Sequence, residues 1–243
     1  MDILPSEVAH FSDTGPHRPR NEDVAYANPD HSVSMVADGL GGAAAGDRAA
    51  RITTDVVAAV LDADFTTAAI PSLIPASVSR SVIVRMAHPD EGLEDPNERL
   101  SFACLLAHTC VLAECRRSGS VGMSTALVVA WMGDTMCRIA HVGDCRAYTL
   151  EDGKLTLHTL DHSLSSALDN RKRLPEKITE SPFLRSRLTQ VIGGEHVPSP
   201  DVEEWNPSPG ARLLLCSDGV WGSLAQPELL AALGADSPAL DLC

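Results

Sequence analysis

With 243 residues, 44% of them hydrophobic and 21% charged, the chain has the make-up of a soluble globular protein large enough for one domain with a full core. Lys and Arg total 19 against 33 Asp and Glu, a formal net charge of −14, which argues against nucleic acid as a partner because such binding neutralises phosphates with cations. There is no basic-plus-apolar leader and no apolar run long enough to span a bilayer, and the seven cysteines form no Cys-x-x-Cys pair, so the expectation is a cytoplasmic chain with reduced, mainly buried thiols and no zinc site.

In chain order, residues 8–12 and 32–37 read as short strands ending at acidic motifs. Residues 43–63 are rich in alanine, and Ile52, Val56, Val57, Val60 and Leu61 fall on one helical face, which predicts a helix after the Gly41-Gly42 turn. Residues 71–97 hold four prolines, with a short helix expected within 72–86 and a solvated acidic loop over 90–95. A second long helix is predicted over 99–117, stopped by Ser118-Gly119. Residues 123–131, 135–141 and 146–150 read as consecutive strands, with turn signals at Gly133-Asp134 and between Glu151 and Lys154.

Residues 163–181 are polar and charged and predict a flap. Its basic run Arg171, Lys172 and Arg173 is either a solvated loop or a lure for an acidic phosphopeptide. An apolar strand over 211–217 and a helix from about 227 to 233 complete the pattern. Antiparallel meanders alternating with helices give an α+β class in a single domain, with no repeat or interdomain linker.

Three acidic segments carry the chemistry. They are Arg18-Pro19-Arg20-Asn21-Glu22-Asp23, Ala37-Asp38-Gly39 and Cys216-Ser217-Asp218-Gly219. Each sets a carboxylate beside glycine or at a predicted strand end, where a side chain can leave the sheet. Carboxylates that converge without a cysteine or histidine pair suit hard cations such as Mg²⁺ or Mn²⁺. Arg18, five residues before Asp23, adds a guanidinium that can grip phosphate with two parallel hydrogen bonds. Taken singly these residues are ordinary: Asp before Gly is usually a turn, a lone arginine is usually surface, and Asp144-Cys145-Arg146 reads equally as a turn between strands. His158 and His162 are four apart, but Leu155-Thr156-Leu157 favours a strand and then a loop, so both are read as structural or exposed.

Taken in order, the segment from Ser12 to Asp23, Val36-Ala37-Asp38-Gly39-Leu40-Gly41-Gly42, Val142-Gly143-Asp144-Cys145-Arg146-Ala147-Tyr148, Asp161-His162-Ser163 and Leu215-Cys216-Ser217-Asp218-Gly219 resemble the successive motifs of metal-dependent serine/threonine protein phosphatases of type 2C, in their bacterial form. The resemblance runs from about residue 6 to about residue 234. It implies a four-layer sandwich, two mainly antiparallel sheets between pairs of helices, with metals at one end of the sheets. It also implies two Mn²⁺ or Mg²⁺ ions, possibly a third held more weakly. Asp38 would bridge the two ions, the Gly39 carbonyl would ligate one and Asp218 the other. Asp144 would help hold the third, and Glu22 and Asp23 would orient metal-bound waters. Arg18 would clamp the phosphate of a phosphoprotein substrate whose modification a cognate serine/threonine kinase installs, and the chain would act as a monomer.

The match to the motifs is incomplete. The family pattern continues to an Asp-Asn pair that opens a final core strand, and its aspartate ligates the metal also held by Asp218. No such pair follows the last predicted helix, and neither Asp236 nor Asp241 lies in a strand pattern. Gly222 stands where many relatives have a third-metal aspartate, and Leu40 stands where some have a proton-donating histidine. These departures define the alternative expectation, a catalytically weak or inactive phosphatase-like protein that binds a phosphoprotein partner.

Overall fold

The computed structural model describes residues 7–16, 18–28, 30, 32–40, 45–62, 93–133, 136–170 and 181–235. The Gly41-Gly42 turn, the helix expected within 72–86, the basic run 171–173 and both C-terminal aspartates lie outside the described residues.

Two antiparallel sheets organise the fold. The first runs β1 (Asp23–Ala27), β2 (Val33–Leu40), β3 (Ser124–Met132), β4 (Cys137–Val142) and β7 (Asp201–Trp205) in spatial order. The second runs β6 (Lys154–Leu157), β5 (Arg146–Glu151) and β8 (Arg212–Cys216). Helices α1 (Gly46–Leu61) and α2 (Pro96–Ser118) pack on the outer face of the first sheet. The one-turn helix α5 (Asp218–Trp221) and helix α6 (Gln226–Gly234) lie against the second. The short helices α3 (Leu164–Asn170) and α4 (Pro182–Arg185) touch each other. This is the four-layer α+β sandwich that the motifs imply.

The alternation of β2 decides which residues enter the site. Val33, Met35 and Ala37 are buried among Val56, Val57 and Val60 of α1 and Leu106 and Val111 of α2. The period of two turns the intervening residues to the other face. There Val36 joins the inter-sheet core of Ala126, Val128, Ile139, Ala147, Leu213 and Leu215. Asp38 therefore belongs to the inter-sheet face, at the last turn of pleat before the strand ends. In the antiparallel register Asp23 of β1 is the direct partner of Asp38, so both carboxylates lie on that face.

Local chemistry explains the element ends. Asp95 caps α2, accepting from the backbone N–H of Asn97 at 2.7 Å and of Glu98 at 3.2 Å, and Pro96 follows at the first helical position. The helix starts three residues before the sequence expectation for that reason. It stops at Gly119, which adopts φ 70°, a left-handed conformation glycine reaches without a Cβ clash. The turn expected between Glu151 and Lys154 joins β5 to β6 through Asp152 at φ 49° and Gly153 at φ 74°.

Two expectations are corrected. Residues 8–12 form no strand; the apolar alternation there finds no partner edge. The strand before β2 is β1, which pairs with β2 along its whole length and packs Val24 and Tyr26 toward the helical layer. The second omission is β7, whose exposed acidic sequence hides a strand that pairs with β4 from His141↔Asp201 to Cys137↔Trp205.

Candidate metal centre

Three chain crossings at one end of the sandwich assemble the site. Asp38 leaves the end of β2, Asp144 sits at the corner where β4 of the first sheet passes into β5 of the second, and Asp218 opens α5 directly after β8. The corner needs its glycine. Gly143 holds φ 102°, and a Cβ there would lie 2.5 Å from the Ala126 Cβ.

Asp38 is the centre of the charge cluster. Burial pushes its carboxyl up to about 9, and the charges of Asp23, Asp218 and Asp144, in that order, push the same way. Burial and then Asp218 raise Asp144 to about 7. Asp218 is also raised by burial and by Asp23, while the exposed Arg18 draws it back down, which puts Arg18 at the mouth of the cluster. The sequence-derived set of Arg18, Asp23, Asp38, Asp144 and Asp218 is thus brought together. Glu22 contributes its carbonyl, which accepts from the Gly39 N–H at 3.1 Å, and its carboxylate lies against Gly46 at the start of α1.

Gly39 is constrained by its surroundings more than by its backbone angles. An added Cβ would sit 2.3 Å from the carbonyl carbon and oxygen of Gly46 and 2.6 Å from the Glu22 oxygen. Three segments therefore meet at a point that only hydrogen can occupy, and the Gly39 carbonyl is pinned beside Asp38.

Sequence reasoning missed several supporting residues. Ser217 donates its hydroxyl to the Asp23 carboxylate at 2.6 Å. The buried Thr125 donates to the Asp38 carbonyl at 2.7 Å. Trp221 donates its indole N–H to the Asp144 carbonyl at 3.0 Å. Cys145, fully enclosed, has its thiol held well up by burial and by Asp38, Asp144 and Asp23, so it is an inert wall of the site and no nucleophile.

The donor set fits hard divalent cations. It consists of oxygen alone, and its carboxylates repel one another unless protons or cations balance them. A consequence follows for the cation-free protein. Asp38 and Asp144 have folded values raised above their unfolded ones, so their contribution to stability is full below about pH 4 and is lost as pH rises through about 7 for Asp144 and about 9 for Asp38. Burial lowers His108 and His141, which opposes folding below about pH 6.5 and confines the clean window to higher pH. In chelator, the melting temperature should fall from pH 6.5 to 9, and Mn²⁺ should restore it most at the alkaline end. A flat profile in chelator would contradict the buried-carboxylate account.

A second group of donors invites a metal reading and does not sustain it. His141, His162 and Asp201 place ligand atoms within 4.8 Å of one another, the one such triple among the described residues. A cleft of about 440 Å³ opens beside it, lined by His141, His158, Leu160, Asp201 and Glu203, with none of the candidate carboxylates. However, the Gly143 N–H donates to His162 Nδ1 at 3.2 Å, which leaves the proton on Nε2, where it points at Asp201 at 3.2 Å. A ligating histidine donates from its other nitrogen, the reverse of this arrangement. His158 is bound by Thr149 and Glu203 at 2.8 Å each. The structural reading of both histidines stands.

Fold and site together define a two-sheet sandwich with a carboxylate cluster suited to hard cations at one end, and comparison with known proteins gives the family. The chain belongs to the protein phosphatase 2C family, whose model matches residues 19–238. The serine/threonine protein phosphatase PstP of Mycobacterium tuberculosis is 28% identical over 225 residues, 91% of this chain; the chain spans only 38% of the length of PstP. The protein phosphatase PhpP of Streptococcus pneumoniae is 28% identical over 239 residues, covering 97% of this chain and 87% of PhpP. The crystal structure of the PstP catalytic domain in complex with two manganese ions superimposes with a TM-score of 0.73 at 26% identity, covering 96% of this chain and 85% of that one. No helix among the described residues is long and apolar enough to cross a membrane.

Proposed function

We propose that this chain hydrolyses phosphoserine and phosphothreonine in proteins with the help of Mn²⁺ or Mg²⁺, opposing a serine/threonine kinase in bacterial signalling. The observation that carries this reading is the buried Asp38 facing Asp23, Asp144 and Asp218, with the exposed Arg18 at the mouth. Asp38, Asp218 and the Gly39 carbonyl would hold the cations, and Asp144 a further, weaker one. Cations bound there would acidify water and offset the charge of a phosphate dianion.

The protein groups have separate tasks. Arg18 would receive the phosphate and set its distance from the carboxylates. Glu22 and Asp23 would orient water, Asp23 being itself fixed by the Ser217 hydroxyl. Water would attack phosphorus, the bond to the serine or threonine oxygen would break, and a proton would pass to that oxygen. Leu40 offers no proton, so the leaving group would take it from solvent. A cytoplasmic, monomeric enzyme is the simplest setting, and the lack of any disulfide among the described cysteines is in keeping with it.

The test is release of phosphate from phosphothreonine and phosphoserine peptides in Mn²⁺ or Mg²⁺, compared with a chelated sample. Arg18→Ala should raise KM by about tenfold or more while leaving Mn²⁺ affinity within about twofold, because its partner is the substrate. A collapse of Mn²⁺ binding with KM unchanged would show that Arg18 has another role.

A further inference from the structure

We propose that Trp221 is a positioning residue for the metal centre, joining the Asp144 corner to the helix that carries Asp218 and itself clamped by Arg146. This inference rests on the reading of the carboxylate cluster as a cation site. Trp221 closes the single turn of α5 that Asp218 opens. A four-residue helix has too few internal hydrogen bonds to hold a direction by itself, so the side chain at its far end decides where Asp218 points. That side chain reaches away from its own helix: the indole N–H donates to the Asp144 carbonyl at 3.0 Å. One group thus fixes the relative position of two of the carboxylates, which come from segments about 74 residues apart in the chain.

The ring is held in its turn. The Arg146 guanidinium carbon lies 3.7 Å from the centroid of the Trp221 ring, a cation–π stack. Arg146 is oriented by Asp161, which accepts from Nε at 2.8 Å and from Nη2 at 2.7 Å, a two-pronged pairing that fixes the guanidinium plane. Burial works against the Arg146 charge, and the hydrogen bonds and charge of Asp161 more than offset it. Tyr148 accepts a further hydrogen bond from Arg146 Nη1 at 3.0 Å.

The same Asp161-His162 segment grips the corner from its other side. The His162 N–H donates to the Gly143 carbonyl at 2.8 Å, and His162 Nδ1 accepts from the Gly143 N–H at 3.2 Å. The peptides on both sides of the Asp144 α-carbon are therefore anchored, one by His162 and the other by Trp221. Trp221 is the member of this set that also carries the anchor across to Asp218.

The test compares Trp221→Phe, Arg146→Lys and the double variant with the wild type by Mn²⁺ titration, following free Mn²⁺ by electron paramagnetic resonance. Phenylalanine keeps a ring under Arg146 and removes the donor. Lysine keeps the charge and loses the fork to Asp161. Each single variant should bind Mn²⁺ about tenfold more weakly, with a melting temperature in chelator within a few degrees of the wild type. The double variant should be little worse than the weaker single one, because both act through one contact. Wild-type affinity in Trp221→Phe, or losses that simply add in the double variant, would overturn the inference. Should Trp221→Phe fail to fold, Arg146→Lys carries the test alone, and unchanged affinity there overturns it. A wild-type chain without Mn²⁺ affinity would overturn the cation site itself, and the inference with it.

Discussion

Asp38→Asn should leave a folded protein whose phosphate release falls by more than about a hundredfold, beyond the usual cost of disturbing a residue behind the ligands. The substitution keeps shape and hydrogen-bonding capacity and removes only the ability to become an anion. In the cation-free protein Asp38 is already held protonated near neutral pH, since burial and three neighbouring carboxylates push it up to about 9. The unfolded chain ionises this carboxyl above about pH 4, so in chelator at pH 7 the asparagine, neutral in both states, should already be the more stable form. Its advantage should grow up to about pH 9 and level off above it, where the wild type carries a buried anion among like charges. The gain in melting temperature on adding Mn²⁺, marked in the wild type, should largely vanish. Turnover lost together with the Mn²⁺-induced stabilisation, in a protein that otherwise melts normally, separates loss of the site from loss of the fold. Full activity in this variant would remove Asp38 from the centre of the mechanism.

Gly39→Ala should be the most damaging small substitution in the fold. The added methyl would meet the Gly46 backbone at 2.3 Å and the Glu22 carbonyl at 2.6 Å, and none of these atoms belongs to a side chain that can swing aside. Relief requires that the start of α1 or the junction into β1 moves away from the end of β2. Overpacking of this kind costs about 1–3 kcal/mol and sometimes more, and three converging backbone segments place this site at or above the upper figure. Urea unfolding should show a clearly lowered midpoint with Mn²⁺ absent, so that the loss is read from the scaffold and not from the metal. An unmoved midpoint would mean that these three segments are less tightly joined than their geometry indicates.

The residues differ in how much of this was visible before the structure. β2 was legible from its strict alternation, and the β3–β4–β5 meander from short buried runs bounded by Gly-containing turns. The long helices were legible too, although the Asp95 cap, which moves the start of α2 to Pro96, was read as part of a loop. β1 was not, because residues 8–12 show as good an alternation as Asp23–Ala27, and only the pairing with β2 distinguishes them. β7 was hidden by its acidic, exposed side chains, with Val202 and Trp205 the residues that pack.

The ligand candidates Asp38 and Asp218 were marked by neighbouring glycines and ordered motifs. Their supports carried no such mark. Thr125 depends on the register of β2 against β3, and Ser217 on the approach of β8 to β1, both long-range matters. Trp221 had one available signal, an aromatic residue one helical turn after Asp218 in a chain with only three tryptophans.

The most direct test of the account is phosphate release from a phosphothreonine peptide by this chain in Mn²⁺, in chelator, and by Asp38→Asn in Mn²⁺. The account predicts turnover in the first sample alone. Turnover that persists in chelator or in the variant, or a folded chain that binds Mn²⁺ and releases no phosphate, would contradict it.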